Sequence, residues 1–215
     1  MSVNYRIPIF IALAATVAGC ARDGDFDQTG GILTTRSACP AVAVPAHTGD
    51  ITVFNPPASR EARAIDVVAN VTNVRSTCND AAGNEIVVKA TFDVQARRSS
   101  ADAARDVTIP YFATVVQGGR AVISKRISNV TLRFEAGQLR ATASGEGTAV
   151  VNRAAVTLPP EILERITRKR RPGDADAAID PLADPEIRAA VTRSSFELLI
   201  GFQLTQDQLQ YNATR

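Results

Sequence analysis

Three cysteines, one histidine and a run of four cations are the residues whose types and spacing could do chemistry in this chain. Cys20 follows Val17, Ala18 and Gly19 at the end of an apolar stretch. Small side chains there suit the extended groove of a signal peptidase, and a thiol at a new N-terminus is a nucleophile able to carry a diacylglyceryl group. Cys39 and Cys78 remain as an even pair, and in an oxidising compartment they are expected to form a disulfide. The alternative is two separate buried thiols, because sequence alone does not say whether their Cα atoms come within about 7 Å. His47 lies beside Thr48 and three residues before Asp50, a base and an orienting carboxylate close in sequence. No Gly-x-Ser-x-Gly elbow accompanies them, so a loop histidine is the plainer reading and catalysis the remoter one. The cations Arg168-Lys169-Arg170-Arg171 lack interleaved aromatics and precede Asp174, Asp176 and Asp180, as at a solvated helix end.

Ahead of Cys20, Met1 to Arg6 are polar with one fixed positive charge, and Ile7 to Ala18 are apolar apart from Pro8 and Thr16. That stretch is shorter than the roughly 20 residues needed to span a bilayer, so it reads as the core of a signal peptide. The pattern resembles the lipobox of bacterial lipoproteins, a resemblance confined to residues 1–20. It implies lipidation at Cys20, with three acyl chains including palmitate, and stable anchoring, since two or more chains hold a protein on a membrane. The residue after the cysteine is Ala21 and not Asp. In a Gram-negative host the resemblance therefore implies the outer membrane, facing the periplasm. An ordinary secretory cleavage site, with Cys20 incidental, is the alternative.

The 215-residue chain carries a net charge of +2 and has no Trp, one His and one Met. A near-neutral balance points to neither nucleic acid nor an acidic surface as partner. A single histidine cannot complete a zinc cluster, and Gly118-Gly119 and Gly145-Glu146-Gly147 lack the strand-loop-helix context of a phosphate loop, so no cofactor is expected. Abundant Val, Ile, Thr and Ala favour a sheet packed with small residues.

The elements follow from periodicity. Residues 21–37 are polar and aperiodic and read as a tether. Ala41 to Val44 and Ile51 to Phe54, set off by Pro40 and Pro45, read as edge strands. Ile65 to Ser76 alternates, and Ile86, Val88, Ala90, Phe92, Val94 and Ala96 form the clearest period of two in the chain. After a polar connection from Arg97 to Arg105, Gly118-Gly119 marks a tight two-residue hairpin between Val107–Gln117 and Arg120–Ile127, with Pro110 demoting the start of its first strand to an edge or bulge. A further hairpin is expected across Glu135 to Gln138, and a bulge or crossing at Gly145 and Gly147. Pro159-Pro160-Glu161 and Asp184-Pro185-Glu186 open two helical segments. Phe196, Leu198, Ile200, Phe202 and Leu204 predict a central closing strand. Thr205 to Gln208 predicts a capped terminal helix with Leu209 inward.

These signals together predict an all-β protein: an antiparallel immunoglobulin-like or fibronectin-like β-sandwich with one helical insertion and a short C-terminal helix. Residues 1–19 would be the signal peptide, 20–37 the tether and 38–215 a single domain. The expected function is a membrane-anchored, non-enzymatic interaction or scaffold role in the cell envelope with a protein partner and no nucleic acid. The alternative is a module for a small apolar ligand or lipid, and a hydrolase using His47 comes third.

Overall fold

Alternating apolar residues become strands because a pleated chain sends successive side chains to opposite faces. In the computed structural model, which describes residues 37–81, 83–168, 173–175 and 178–214, this rule organises eight strands. They are β1 (Ala41–Ala43), β2 (Asp50–Phe54), β3 (Ile65–Asn79), β4 (Glu85–Arg98), β5 (Arg105–Gln117), β6 (Ala121–Phe134), β7 (Arg140–Asn152) and β8 (Phe196–Phe202). One sheet runs β2-β3-β4-β7 and the other β1-β8-β5-β6. Every pairing is antiparallel except β1 with β8.

The inner faces of both sheets share one core. All six alternating residues of β4, from Ile86 to Ala96, are buried in it. Opposite them on β7 stand Ala141, Ala143, Gly145, Gly147, Ala149 and Val151, a face made of small residues. The ladder between β4 and β7 has no register shift, so the glycines mark no bulge, contrary to expectation. They make room. A Cβ on Gly145 would stand 2.3 Å from Phe92 Cζ, and one on Gly147 would stand 2.9 Å from Ala113 Cβ across the core. Phe92 fills the space above Gly145 and meets the Tyr111 ring edge-on at 5.1 Å.

β8 lies between β1 and β5, with Leu198, Ile200 and Phe202 fully buried, as its apolar period predicts. β1 and β2 are edge strands, as their prolines require. The pairing of β8 with β5 ends at Tyr111–Phe202, so the start of β5, Pro110 included, has β6 alone paired with it, the edge position that a proline calls for. Two expectations need correction. Gln117 pairs with Ala121, so three residues, not two, close the β5–β6 turn, with Gly118 and Gly119 both at positive φ. Glu135 to Leu139 does not close a hairpin, because β6 and β7 belong to different sheets. Alternation fixes which face of a strand is buried but not which neighbour it bonds.

Between β7 and β8 lie α1 (Arg153–Val156), α2 (Pro160–Thr167), a 3₁₀ turn at Pro181–Ala183 and α3 (Pro185–Arg193). Asp184 caps α3 by accepting from Glu186 N, and Leu158, Ile162, Ile187 and Ala190 form a second small apolar cluster. The helices join the sheet at the β5 turn, where Gln117 Nε2 donates to the Arg193 carbonyl at 2.6 Å and Gly118 N to the Ser195 carbonyl at 2.9 Å. After β8, α4 (Gln206–Thr214) starts with the predicted reciprocal cap: Thr205 N donates to Gln208 Oε1 and Gln208 N to Thr205 Oγ1. Leu209, expected inward, is 42% exposed. Tyr211 and Asn212 dock the helix instead.

Cys39 and Cys78 are bonded, with their Cα atoms 6.2 Å apart. The bridge ties the segment entering β1 in one sheet to the end of β3 in the other. Replacing both cysteines by serine is expected to lower unfolding free energy by roughly 3–4 kcal/mol on the chain-entropy account of a loop this long. Urea denaturation of the double variant measures it, and an unchanged midpoint would show that the bridge adds nothing to stability.

Candidate functional surfaces

The end of the molecule where β4 stops is organised by Arg98, 1% exposed and the largest fully buried side chain. Its Nε donates to the Gln138 carbonyl at 2.7 Å, Nη1 to Ala103 at 2.8 Å, and Nη2 to Asp102 at 2.9 Å and Glu135 at 3.0 Å. The guanidinium also lies 5.4 Å from the centre of the Phe134 ring. Its acceptors belong to the two loops that cross between sheets, β4–β5 and β6–β7. A single planar fork thus holds both crossings. The sequence carried the signal, because 98 is the next even position after the inward series 86 to 96, yet a charge at that place reads as the start of a polar loop.

Beside Arg98 opens a cleft of about 450 Å³, bordered by Asn55, Arg63, Asp66, Ser100, Asp102 and Arg105. Arg105 forks the Asp66 carboxylate, with Nη1 at 3.1 Å. That hydrogen bond raises the arginine's pKa further against a small opposing effect of burial. Ser100 Oγ donates to Asp102. Two side-chain pairs within this cleft, Arg105–Asp66 and Ser100–Asp102, therefore bond each other. A second, more open cleft of about 520 Å³ lies against Asn84, Arg153, Leu158 and Pro160, where Arg153 donates to the carbonyls of Asp80, Ala81 and Gly83.

Of the residues singled out from sequence, Cys20 lies outside the described residues, as do residues 1–36 as a whole. Cys39 and Cys78 are joined in the disulfide. His47 occupies an exposed turn at φ 64°. What the structure brings together there is main chain: Asn212 Nδ2 donates to the carbonyls of His47 at 2.9 Å and Asp50 at 2.8 Å. Arg168 closes α2, its N–H donating to the Glu164 carbonyl, while 169–171 lie outside the described residues. Among the described residues no cluster of three or more His, Cys, Asp or Glu side chains could hold a metal ion, and no helix is long and apolar enough to cross a membrane.

The helical segment carries its own electrostatic latch. Asp184 accepts from Glu186 N, and Arg165 of α2 bonds both Asp184 and Glu186. The Asp184 pKa is lowered, first by the backbone hydrogen bond from Glu186 and then, against desolvation, by Arg165. A carboxylate depressed in the folded state stabilises it above the ordinary aspartate pKa and stops doing so as pH falls through the lower folded value. Amide exchange in α3 is therefore expected to be pH-independent in its opening equilibrium above about pH 5 and to loosen in acid below 3.8. Asp184→Asn should remove the acid step.

The sheet edges differ from one another. β1 is three residues long. β2 is covered by α4, whose Tyr211 ring meets Phe54 edge-on at 5.2 Å. On β7, the Tyr111 hydroxyl from the other sheet donates to the Glu146 carbonyl at 2.9 Å and accepts from Glu146 N at 3.4 Å. β6 bonds β5 alone, and its residues 121–129 are exposed without a break. Comparison with protein families, with curated proteins and with solved structures returned no match.

Proposed function

We propose that this chain is a lipid-anchored envelope protein whose two-sheet domain serves as an interaction scaffold and performs no catalysis. The observation that carries export is the Cys39–Cys78 bridge, since disulfides persist in oxidising compartments such as the periplasm. Cys20, behind small residues suited to a signal peptidase, carries the lipid anchor, residues 21–37 form the tether, and the outer membrane is the proposed address. In layer architecture the reading is a β-sandwich of the broad kind that includes immunoglobulin and fibronectin domains. Its hairpin-linked β2-β3-β4 order is its own, since an immunoglobulin sheet runs A-B-E-D. The alternative, a module for a small apolar ligand, calls for an enclosed apolar pocket, whereas the two clefts described above open to solvent. Cys20→Ser is expected to leave the protein unprocessed or soluble, because serine cannot form the thioether. Fractionation with intact-mass measurement tests this, and membrane retention with an unlipidated N-terminus would end the lipoprotein reading.

A further inference from the structure

A strand at a sheet edge presents unpaired N–H and C=O groups, and proteins shorten, cover or block such edges. Three of the four edges here are short, covered or capped. β1 has three residues, α4 covers β2, and the Tyr111 hydroxyl occupies the Glu146 peptide in the middle of β7. β6 is uncovered over nine residues and is guarded only by a register shift beside Val122 and by the charges of Lys125 and the inward-pointing Arg126, which repel a basic strand and attract an acidic one. Its inward positions Ser124, Arg126 and Ser128 are exposed as fully as its outward ones, so the opposite sheet does not cover this half of the strand. Three large apolar side chains stand in it: Val122 at 63%, Ile123 at 54% and Ile127 at 59% exposure.

Along β5, the turn and β6 the charges nearest in sequence have one sign. From Val107 to Phe134 the chain contains no Asp or Glu, while Arg120, Lys125 and Arg126 fall in the turn and the open half of β6. None of these three is among the described ion pairs, whereas Arg133 at the other end of the strand is paired with Asp106 and Glu135. Lys125 Nζ instead lies 5.3 Å from the centre of the Phe112 ring. We propose that residues 121–129 of β6 receive an extended, acidic segment of a partner protein by β-strand addition. Backbone groups of the guest complete the ladder, its carboxylates meet Arg120, Lys125 and Arg126, and its apolar residues cover Val122, Ile123 and Ile127. A second copy of this chain is a poor occupant. Two-fold antiparallel pairing centred on this stretch brings both Lys125-Arg126 dipeptides to the axis, and like charges opposed across strands are destabilising.

The proposal deepens the interaction reading by naming its surface and partner chemistry, and it rests on that reading only for the existence of a partner. It is tested directly, whatever becomes of the Cys20 anchor. A labelled peptide of about ten residues, long enough for one strand, carries two adjacent Glu at its centre to stand opposite Lys125 and Arg126 on the two faces and Val on either side; it is titrated into the purified chain and read by fluorescence anisotropy and amide chemical shifts. Saturable binding is expected, with shifts centred on 121–129, weakening with salt. It should weaken about tenfold or more for a Lys-Val peptide and for Lys125→Glu with Arg126→Glu. Both positions are exposed, so the variant is expected to melt like the parent. Val122→Ser with Ile127→Ser provides a charge-preserving second variant with the same expected loss. Equal affinity for both peptides, undiminished binding by either variant, shifts confined elsewhere, or no binding overturns the proposal. So does concentration-dependent dimerisation through β6, or capture of anionic vesicles by Lys125 and Arg126 where the peptide does not bind.

Discussion

Phe196→Ala combined with Phe202→Ala leaves little folded protein at room temperature. β8 lies between β1 and β5, Phe202 is fully buried, and Phe196 is half-buried against the same core. Removing a core phenylalanine costs about 3–5 kcal/mol once the cavity is included. The half-buried ring contributes less, about 1.5–3 kcal/mol on transfer grounds. The sum approaches the whole of a typical domain stability of about 5–15 kcal/mol. Circular dichroism and a urea titration of the single and double variants check it, with Phe202→Ala expected to be the larger single effect. A double variant melting near the parent would mean that β8 does not close the core.

Arg98→Met is expected to destabilise by about 3–5 kcal/mol, since it removes a buried charge-assisted donor set and leaves carbonyls in two loops without their partner. Arg98→Lys should recover only part of that loss. An ammonium has three donors on a point, whereas the acceptors here, Asp102, Ala103, Glu135 and Gln138, are spread around a planar fork. Amide exchange should show the loss concentrated in residues 99–104 and 135–139 as well as in global stability. A lysine variant as stable as the parent would show that charge in this pocket matters and the fork does not.

The parts of the fold legible in the sequence are those where one local rule acts alone. Period two gave β4 at all six positions and β8 at Leu198, Ile200 and Phe202, because an alternating face has no other way to leave water, while Phe196 is half-buried and Leu204 falls past the end of the strand. The Thr205–Gln208 cap and the Asp184-Pro185 start are local hydrogen-bond patterns, and both form. The even pair Cys39 and Cys78 is joined. What the sequence hid depends on partners distant along the chain. Glu135 to Leu139 crosses from one sheet to the other instead of turning back, and the crossing is held by Arg98, 37 residues from Glu135. Gly145 and Gly147 look like interruptions until Phe92, Ala113 and Ile200 are seen to need the space. Leu209 is expected inward behind the Thr205–Gln208 cap, but α4 is docked by hydrogen bonds from Asn212 and by the Tyr211 ring. The candidate surface was half visible: Arg120 to Ile127 read as a strand, but its nakedness on both faces depends on where the other sheet stops.

The bridge between Cys39 and Cys78 also decides how the domain bears load. Anything that pulls on the chain ahead of Cys39 delivers its force through the sulfur atoms to the end of β3, a strand held along nearly its whole length by β4. β1 and β2 lie inside the covalent loop and carry none of that tension. With the bond cut, the same pull would arrive first at β1, three residues in parallel with β8, and would strip the sheet from its weakest margin inward. The disulfide thus works as a strain relief, routing tension around the most easily peeled strand to a firmly held one.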